Sequence, residues 1–424
     1  NAARPYLEAE LERAGGTRHL DVSVVTEGDA RRLVDEVLAP AAERFLGGAR
    51  TFEVFGVDGE YGRHYSFLKA IAAVWQVFVD PTVRATFKID LDQVFPQDVL
   101  LEETGATAFE HLRTPLWGAQ GLDAAGREVD LGMVAGALVN QRDIGQGLFT
   151  PDVPLPGPPQ APEERAFYSV LPQALSTRAE MMERYDSAMP DGSSTVLERV
   201  HVTGGTNGIL VDALRGHRPF TPSFVGRAED QAYILSVLGQ SGPRLAYVHA
   251  AGLIMRHDKE AYAGEAIEAA HVGKLVGDYV RILIFSAYAD AVARTGEPDG
   301  LDLDTIKALL GPFTGSFISR LPITVTLLRF ALKIAGLTAA GEHRQADEFA
   351  RIGARRLRET LRMTMDRDGF RARIVDEQEQ GRGFYDTLDA VEDALQARDP
   401  GAAQLQERAR EILEGCRIRA SAEG

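Results

Sequence analysis

Two acidic residues that follow a short apolar run are the most informative feature of the sequence. The segment 87–96 reads FKIDLDQVFP, in which Asp90 and Asp92 stand two residues apart at the end of a predicted strand over 85–91. Residues two apart on a strand point to the same face. Carboxylate oxygens suit Mg²⁺, which takes one or two of them together with substrate phosphates. The spacing predicts metal-assisted chemistry on a phosphate compound, unless the aspartates only end a strand and cap a turn.

A second acidic pair, Glu229 and Asp230, precedes a predicted helix over 232–238. Carboxylates in the first turn of a helix interact favourably with the helix dipole, which is the structural explanation for the pair. A carboxylate beside a substrate hydroxyl can instead act as a general base. His257 follows the strand-like run 245–248 and offers an imidazole nitrogen for an oxygen-rich metal site, although a lone histidine is more often a packed or surface residue.

Glycines form the third notable pattern. The segment 203–208 reads TGGTNG and follows the strand-like run 197–202. Gly204 and Gly205 would let backbone amides approach a ligand closely, and Asn207 stands beside them. Glycine-rich turns are common in proteins without such a ligand, so this pattern gains meaning only from the others.

The elements that must position these residues alternate between strands and helices over the first 95 residues. Short β-branched runs at 20–25, 51–57 and 85–91 predict strands, and helical spacing of apolar residues over 30–45 and 65–78 predicts helices between them. Strands that cross over through helices form parallel sheets. The sequence therefore predicts an α/β layer.

The pattern changes in the second half of the chain. Two further strands are predicted at 133–139 and 245–248, with an extended proline-rich loop at 151–162 between them. Beyond residue 259 the strand signals fade, and long helical stretches rich in Ala, Leu, Arg and Glu take over. We therefore predict an α/β domain over 1–259 and an all-helical domain over 260–424.

Composition limits the partners of the chain. Its 424 residues include 62 acidic and 46 basic side chains, and the net charge of −16 opposes binding to nucleic acid or anionic membranes. The single cysteine, Cys416, cannot form an intramolecular disulfide, which favours the cytoplasm. The apolar run 321–337 carries Arg329 and Lys333 and predicts a buried helix, not a membrane span. We expect small-molecule partners, no nucleic acid and no integral membrane contact.

Taken in chain order, these segments resemble the GT-A glycosyltransferases of the family 2 type, which use nucleotide-diphospho-sugars as donors. The resemblance covers about residues 20–259. It implies a Rossmann-like, mixed but mostly parallel sheet flanked by helices over 1–259, followed by the C-terminal all-helical domain. The first strand of that fold is then expected upstream of Asn1, or as a compressed version in the run 20–25.

The resemblance also implies roles for individual residues. Asp92 and His257 would bind Mn²⁺ or Mg²⁺ on the donor diphosphate, with Asp90 placed towards the sugar or ribose. Glu229 and Asp230 would contact the acceptor or sugar, and one of them would be the general base if transfer inverts the anomeric centre. The other residues expected to contact the donor are Lys88, Arg63, Gly204, Gly205 and Asn207. Arg63 would contact a phosphate or the base, or else be an ordinary exposed charge.

Two other functions stay open. Asp90 and Asp92 with their neighbours are also similar to the first motif of haloacid-dehalogenase-type phosphatases, in which Asp90 would be the nucleophile and Asp92 a general acid. A non-catalytic binding or scaffold protein would instead use the helical domain as a partner surface. We predict transfer to a small, soluble hydroxyl acceptor, with the helical domain either closing over that acceptor or joining two copies of the chain as a homodimer.

Overall fold

The computed structural model describes residues 3–13, 20–89, 93–122, 128–140, 161–163, 207–257, 259–295, 301–309 and 317–418. This part of the chain is 64% helical. A six-stranded sheet lies among the helices.

Fourteen α-helices are found in the described residues. In chain order they are α1 (Ala3–Arg13), α2 (Glu27–Leu33), α3 (Ala39–Leu46), α4 (Tyr61–Phe78), α5 (Gln97–Thr104), α6 (Ala108–His111), α7 (Val211–His217), α8 (Glu229–Leu235), α9 (Lys259–Thr295), α10 (Leu303–Leu309), α11 (Pro322–Ala339), α12 (His343–Met365), α13 (Arg367–Gln396) and α14 (Pro400–Cys416). A π-helical turn, Val34–Leu38, joins α2 to α3. A capping box formed by Thr26 and Asp29 begins α2.

The sheet is mixed, and most of its pairings are antiparallel. Its strands are β1 (Ala85–Lys88), β2 (Gln93–Val94), β3 (Gln120–Leu122), β4 (Glu128–Asn140), β5 (Asn207–Leu210) and β6 (Arg244–His257). The strand order is β1-β5-β4-β6-β2, and β3 pairs with β4 outside this path. Four pairings are antiparallel, and β4 with β6 is the one parallel pairing among the described strands.

The prediction of a mostly parallel, Rossmann-like sheet is therefore wrong. The runs 20–25 and 51–57, predicted as its first strands, are not strands in the structure. Phe52 and Phe55 pack instead against Phe384 of α13, with ring centroids 6.3 and 4.3 Å apart. An alternating apolar run indicates that a segment is buried, but not what buries it. Here a helix of the C-terminal region covers the run, so no crossover between parallel strands forms.

Five other predicted elements are confirmed where the structure describes them. The run 85–91 contains β1, 133–139 lies within β4, and 245–248 lies within β6. The helix predicted over 30–45 lies within the stretch from α2 to α3, and that over 65–78 lies within α4. The strand-like run 197–202 lies outside the described residues.

The main hydrophobic core crosses the predicted boundary at residue 259. It contains Val37, Tyr65 and Phe78 from the N-terminal part together with Phe285 and Phe384 from the helical part. α13 contacts α3 and α4, and α14 contacts α2 and α4. The change from strands to helices along the chain thus does not divide this core in two.

One face of α11 is exposed and apolar. Four large side chains at this helix have exposed fractions of 65%, 38%, 45% and 46%: Leu321, Ile323, Leu327 and Leu328. The prediction that 321–337 is a buried helix is wrong for this face. By length and composition α11 is also the one described helix able to cross a membrane, which on its own is weak support for a span.

The end of α14 is joined to the segment that leads into α2. Two backbone hydrogen bonds of 2.8 Å each connect residues 22–24 with residues 416–418. Cys416 is buried there, and its thiol donates to the Ile412 carbonyl at 3.3 Å. Burial raises the pKa of the Cys416 thiol to about 11.

Candidate functional site

A cluster of polar side chains is buried where α4 and α8 meet the sheet. Each of its side chains is at least nine-tenths buried, which is unusual for charged groups. Its members are Tyr65 and Lys69 of α4, Lys88 of β1, Asn207 of β5, Asp230 and Tyr233 of α8, and Tyr247 of β6. We refer to these seven residues as the buried polar cluster.

Asn207 holds two side chains of α4 in place. Tyr65 and Lys69 are four residues apart and therefore lie on the same face of the helix. The Tyr65 hydroxyl donates to Asn207 Oδ1 at 2.9 Å, and Lys69 Nζ donates to the same oxygen at 2.6 Å. The Lys69 ammonium also lies 4.9 Å from the ring centroid of Tyr65 and 5.8 Å from that of Tyr233. Both aromatic faces and the amide oxygen thus stabilise a buried cation.

The strand register brings a second lysine to the same place. β1 and β5 pair so that Lys88 stands opposite Asn207, and Lys88 Nζ lies 5.7 Å from the ring of Tyr65. Burial, and to a smaller extent the charge of Lys88, lower the pKa of Lys69 to about 7. Lys69 can therefore gain or lose a proton near neutral pH.

Asp230 is the buried carboxyl of the cluster. It stands in the first turn of α8, directly after the partly buried Glu229. Burial, followed by the negative charge of Glu229, raises the pKa of Asp230 to about 7, and the charge of Lys88 acts in the opposite direction. A carboxyl with a pKa near 7 is suited to accept a proton from a hydroxyl at physiological pH.

Two tyrosine hydroxyls complete the cluster. Those of Tyr233 and Tyr247 are buried and have no hydrogen-bond partner among the described residues. Buried hydroxyls are nearly always hydrogen-bonded. These two groups are therefore available to an oxygen atom of a substrate or of a bound water molecule.

Arg63 lies outside the cluster, and the protein itself uses all of its donors. Nε donates to the Glu53 carbonyl, and the two terminal nitrogens donate to the Glu27 carboxylate and to the carbonyls of Asp58 and Phe55, at distances from 2.8 to 3.0 Å. An arginine has five N–H groups, and all five are engaged. The expected contact of Arg63 with a phosphate or a base does not fit this arrangement, because no donor is left for a ligand.

The carboxylate that binds Arg63 is strongly stabilised as an ion. Burial acts to raise the pKa of Glu27, but hydrogen bonds from Arg63 and from two backbone N–H groups lower it to about 2. Glu27 and Arg63 therefore form a permanent ion pair that ties the start of α2 to the start of α4.

Four of the predicted site residues lie outside the described residues: Asp90, Asp92, Gly204 and Gly205. The backbone of His257 is described, while its side chain is not. His257 ends β6, where it pairs with Gln93 of β2 and with Asn140 of β4. Gln93 follows Asp92 directly in the sequence, so the pairing sets His257 opposite the neighbour of that aspartate.

The expected metal site stays a prediction. Among the described side chains, no group of three or more His, Cys, Asp or Glu residues is placed to hold a metal ion. Both of the expected ligands are missing from that set, because Asp92 and the side chain of His257 are outside it.

Sequence reasoning found Lys88, Asn207 and Asp230, which the structure brings together, but it missed the α4 and tyrosine members of the cluster. A signal for Lys69 was present, because it is a lysine within the otherwise apolar stretch 67–75 of a helix. Tyr233 and Tyr247 gave no signal, since aromatic residues in apolar helices and strands are typical of any core.

Comparison of the chain with protein-family models, with curated proteins and with solved structures gave no match. Its function is therefore argued from the residues and the geometry of the site.

Proposed function

We propose that the chain is a metal-dependent glycosyltransferase that moves a sugar from a nucleotide-diphospho-sugar to a hydroxyl acceptor. One observation carries this proposal. Lys88, Asn207 and Asp230 were each singled out for this chemistry from separate parts of the sequence, and all three belong to the buried polar cluster.

The strand pairings support a shared site for Asp92 and His257. β2 begins at Gln93, which directly follows Asp92 and stands opposite His257. β1 and β2 are the two edge strands of the path β1-β5-β4-β6-β2, and the segment 89–92, which includes both aspartates, follows Lys88 at the end of β1. A divalent ion held by carboxylate and imidazole groups would stabilise the negative charge that develops on the leaving diphosphate.

The lysines of the cluster suit the same anion. The positive charge of Lys88 attracts a diphosphate to the end of β1. Lys69 has a pKa of about 7, so a phosphate nearby favours its protonated form. Asn207 keeps that ammonium in place through its Oδ1 atom, 2.6 Å away.

Asp230 supplies the base in a transfer that inverts the anomeric centre. Its carboxylate takes the proton of the acceptor hydroxyl while the acceptor oxygen bonds to the anomeric carbon and the bond to the diphosphate breaks. Burial, and to a smaller extent the charge of Asp230, raises the pKa of Tyr65 and of Tyr247 well above the usual value. Both hydroxyls therefore stay protonated; that of Tyr65 donates to Asn207, while that of Tyr247 can donate a hydrogen bond to the substrate.

The proposal is tested by the thermal stability of the chain with a nucleoside diphosphate, with and without Mn²⁺. We expect stabilisation only when both are present, by about 2.7 kcal/mol at a ligand concentration of one hundred times Kd. Asp92→Ala should abolish this stabilisation, because it removes an expected metal ligand. Asp98→Ala is the matched control, since Asp98 is an exposed aspartate a short distance along the chain.

Four outcomes would contradict the proposal. Stabilisation by the nucleotide without metal, or an unchanged response of Asp92→Ala, would remove the metal site. Stabilisation by beryllofluoride with Mg²⁺ would favour the phosphatase, in which Asp90 forms an aspartyl-phosphate. A chain that responds to neither ligand would favour a non-catalytic binding protein.

A further inference from the structure

A cavity of about 770 Å³ opens beside the loop that precedes α8. Its walls are the start of α4, the loop before α8, and parts of α9 and α12. Arg227 of that loop lies in the wall and comes just before Asp230 in the chain. Tyr61 at the start of α4 lines the cavity too, and the same helix face continues to Tyr65 in the buried polar cluster. Asp230 does not line the cavity, but its negative charge acts on Arg281 in the wall, so the two side chains are within electrostatic range of each other.

Arginines dominate the polar lining of this cavity. Four of them contribute to its wall: Arg227, Arg281, Arg355 and Arg356. Two carboxylates, Glu60 and Glu359, also line it. Such a local excess of positive charge contrasts with the net charge of −16 of the whole chain. It indicates a site that is selective for anions.

Two of these arginines form hydrogen bonds with carboxylates. Arg356 Nη2 donates to Glu60 Oε1 at 2.9 Å. Arg227 Nε donates to Asp278 Oδ1 at 3.2 Å, and the same oxygen lies 3.7 Å from Arg281 Nη2. One carboxylate thus serves two guanidinium groups, which leaves positive charge uncompensated at the wall.

The other two arginines keep donors for a ligand. The guanidinium of Arg281 lies 3.6 Å from the ring centroid of Phe317, and its Nε is buried without a hydrogen-bond partner among the described residues. Burial lowers the pKa of Arg281 to about 10, so the side chain is still protonated at neutral pH. Arg355 is exposed and forms no hydrogen bond or ion pair with another described residue.

We propose that this cavity binds the acceptor, and that the acceptor carries an anionic group, a phosphate or a carboxylate, besides the hydroxyl that receives the sugar. The anion binds to Arg281 and Arg355, and the hydroxyl points to Asp230. Planar guanidinium groups match the oxygen pairs of phosphates and carboxylates. Gly273 of α9 leaves open space in the wall, since a Cβ atom there would meet no other atom within 4 Å. This inference rests on the proposed sugar transfer.

The test is isothermal titration of the full chain with three matched probes: glycerol 1-phosphate, glycerate and glycerol. Neither metal nor nucleotide is added, so the result does not depend on the donor site. We expect one of the anionic probes to bind and glycerol not to bind. Arg355→Gln should weaken that binding about tenfold, because it removes a charged hydrogen-bond donor. Arg351→Gln is the matched control, since Arg351 is an exposed arginine of α12 that does not line the cavity.

The outcomes separate the alternatives. Binding of the phosphate probe alone indicates a phosphorylated acceptor, and binding of glycerate alone a carboxylated one. Equal binding of glycerol, or native affinity in Arg355→Gln, overturns the inference. Displacement of the anion by a nucleoside diphosphate with Mn²⁺ would assign the arginines to the donor and overturn the inference as well. If the anion binds through Arg355 but the metal-dependent nucleotide response is absent, the proposed function fails while the anion site stands.

Discussion

Asp230→Asn should slow sugar transfer by roughly 10²- to 10⁴-fold and leave binding of a nucleoside diphosphate with Mn²⁺ unchanged. The amide has the shape of the carboxyl group but cannot take the proton of the acceptor hydroxyl. Single-turnover transfer measures the first effect, and thermal stabilisation by the nucleotide measures the second. Full turnover by this variant would exclude Asp230 as the base.

The pH dependence of the rate and of the stability should run in opposite directions. Because the pKa of Asp230 is about 7, the rate of the native protein should rise with pH up to about 7. In the unfolded chain the pKa is about 3.9, so the native state binds more protons between these values and the carboxyl destabilises the fold as pH rises from about 4 to 7. Asp230→Asn should match the native stability at pH 4 and exceed it at pH 8. Urea unfolding at both pH values measures this difference.

Glu229→Gln is the control for the role of Asp230. It removes the negative charge that helps to raise the pKa of Asp230, but leaves the base in place. We expect transfer to continue, with the rise in rate moved to lower pH. An unchanged pH profile would mean that Asp230 is not the group that titrates.

Asn207→Ala should destabilise the protein by ~3 kcal/mol at pH 6, because it takes the oxygen acceptor from a buried ammonium and a buried hydroxyl. The pKa of Lys69 is about 7 in the native protein and about 10.4 in an unfolded chain. The unfolded state therefore binds more protons between these values, and the native protein gains stability as pH rises from about 7 to 10. The destabilisation by Asn207→Ala should be largest below pH 7, where Lys69 is charged. Urea unfolding across this range provides the measurement.

A double-mutant cycle with Lys69→Met isolates the interaction. Methionine fills a similar volume without the charge, so Asn207→Ala should cost less free energy of unfolding in the Lys69→Met background. Equal costs in the two backgrounds would mean that Asn207 does not stabilise the ammonium of Lys69.

Three of the residues predicted for the site, Lys88, Asn207 and Asp230, lie in the buried polar cluster, while the predicted direction of the strand pairings is wrong. Lys88 stands next to the Asp-x-Asp pattern, and Asp230 belongs to an acidic pair. Both patterns are local in the sequence and do not depend on which elements pack together. The run 51–57 was misread because its alternation is the same whether a strand or α13 covers it. Pairing direction depends on contacts between distant segments, and no local pattern shows it.

Arg63 and Lys69 illustrate the same limit on the scale of single side chains. Arg63 looked free for a ligand because its partners, Glu27 and three carbonyls of the segment 53–58, reach it only after folding. Lys69 carries no prediction from the sequence because its acceptor, Asn207, belongs to a distant strand. In both cases the contacts that decide the role of the side chain form only in the folded chain.

The thiol at the end of α14 makes local opening of the chain measurable. A protonated, enclosed sulfur does not react with maleimides, and Cys416 is the one cysteine in the sequence. A fluorescent maleimide therefore modifies only molecules in which the structure around this terminus has opened, and the rate of dye incorporation gives the frequency of that opening. Local opening at the end of α14 can thus be followed separately from loss of the whole fold.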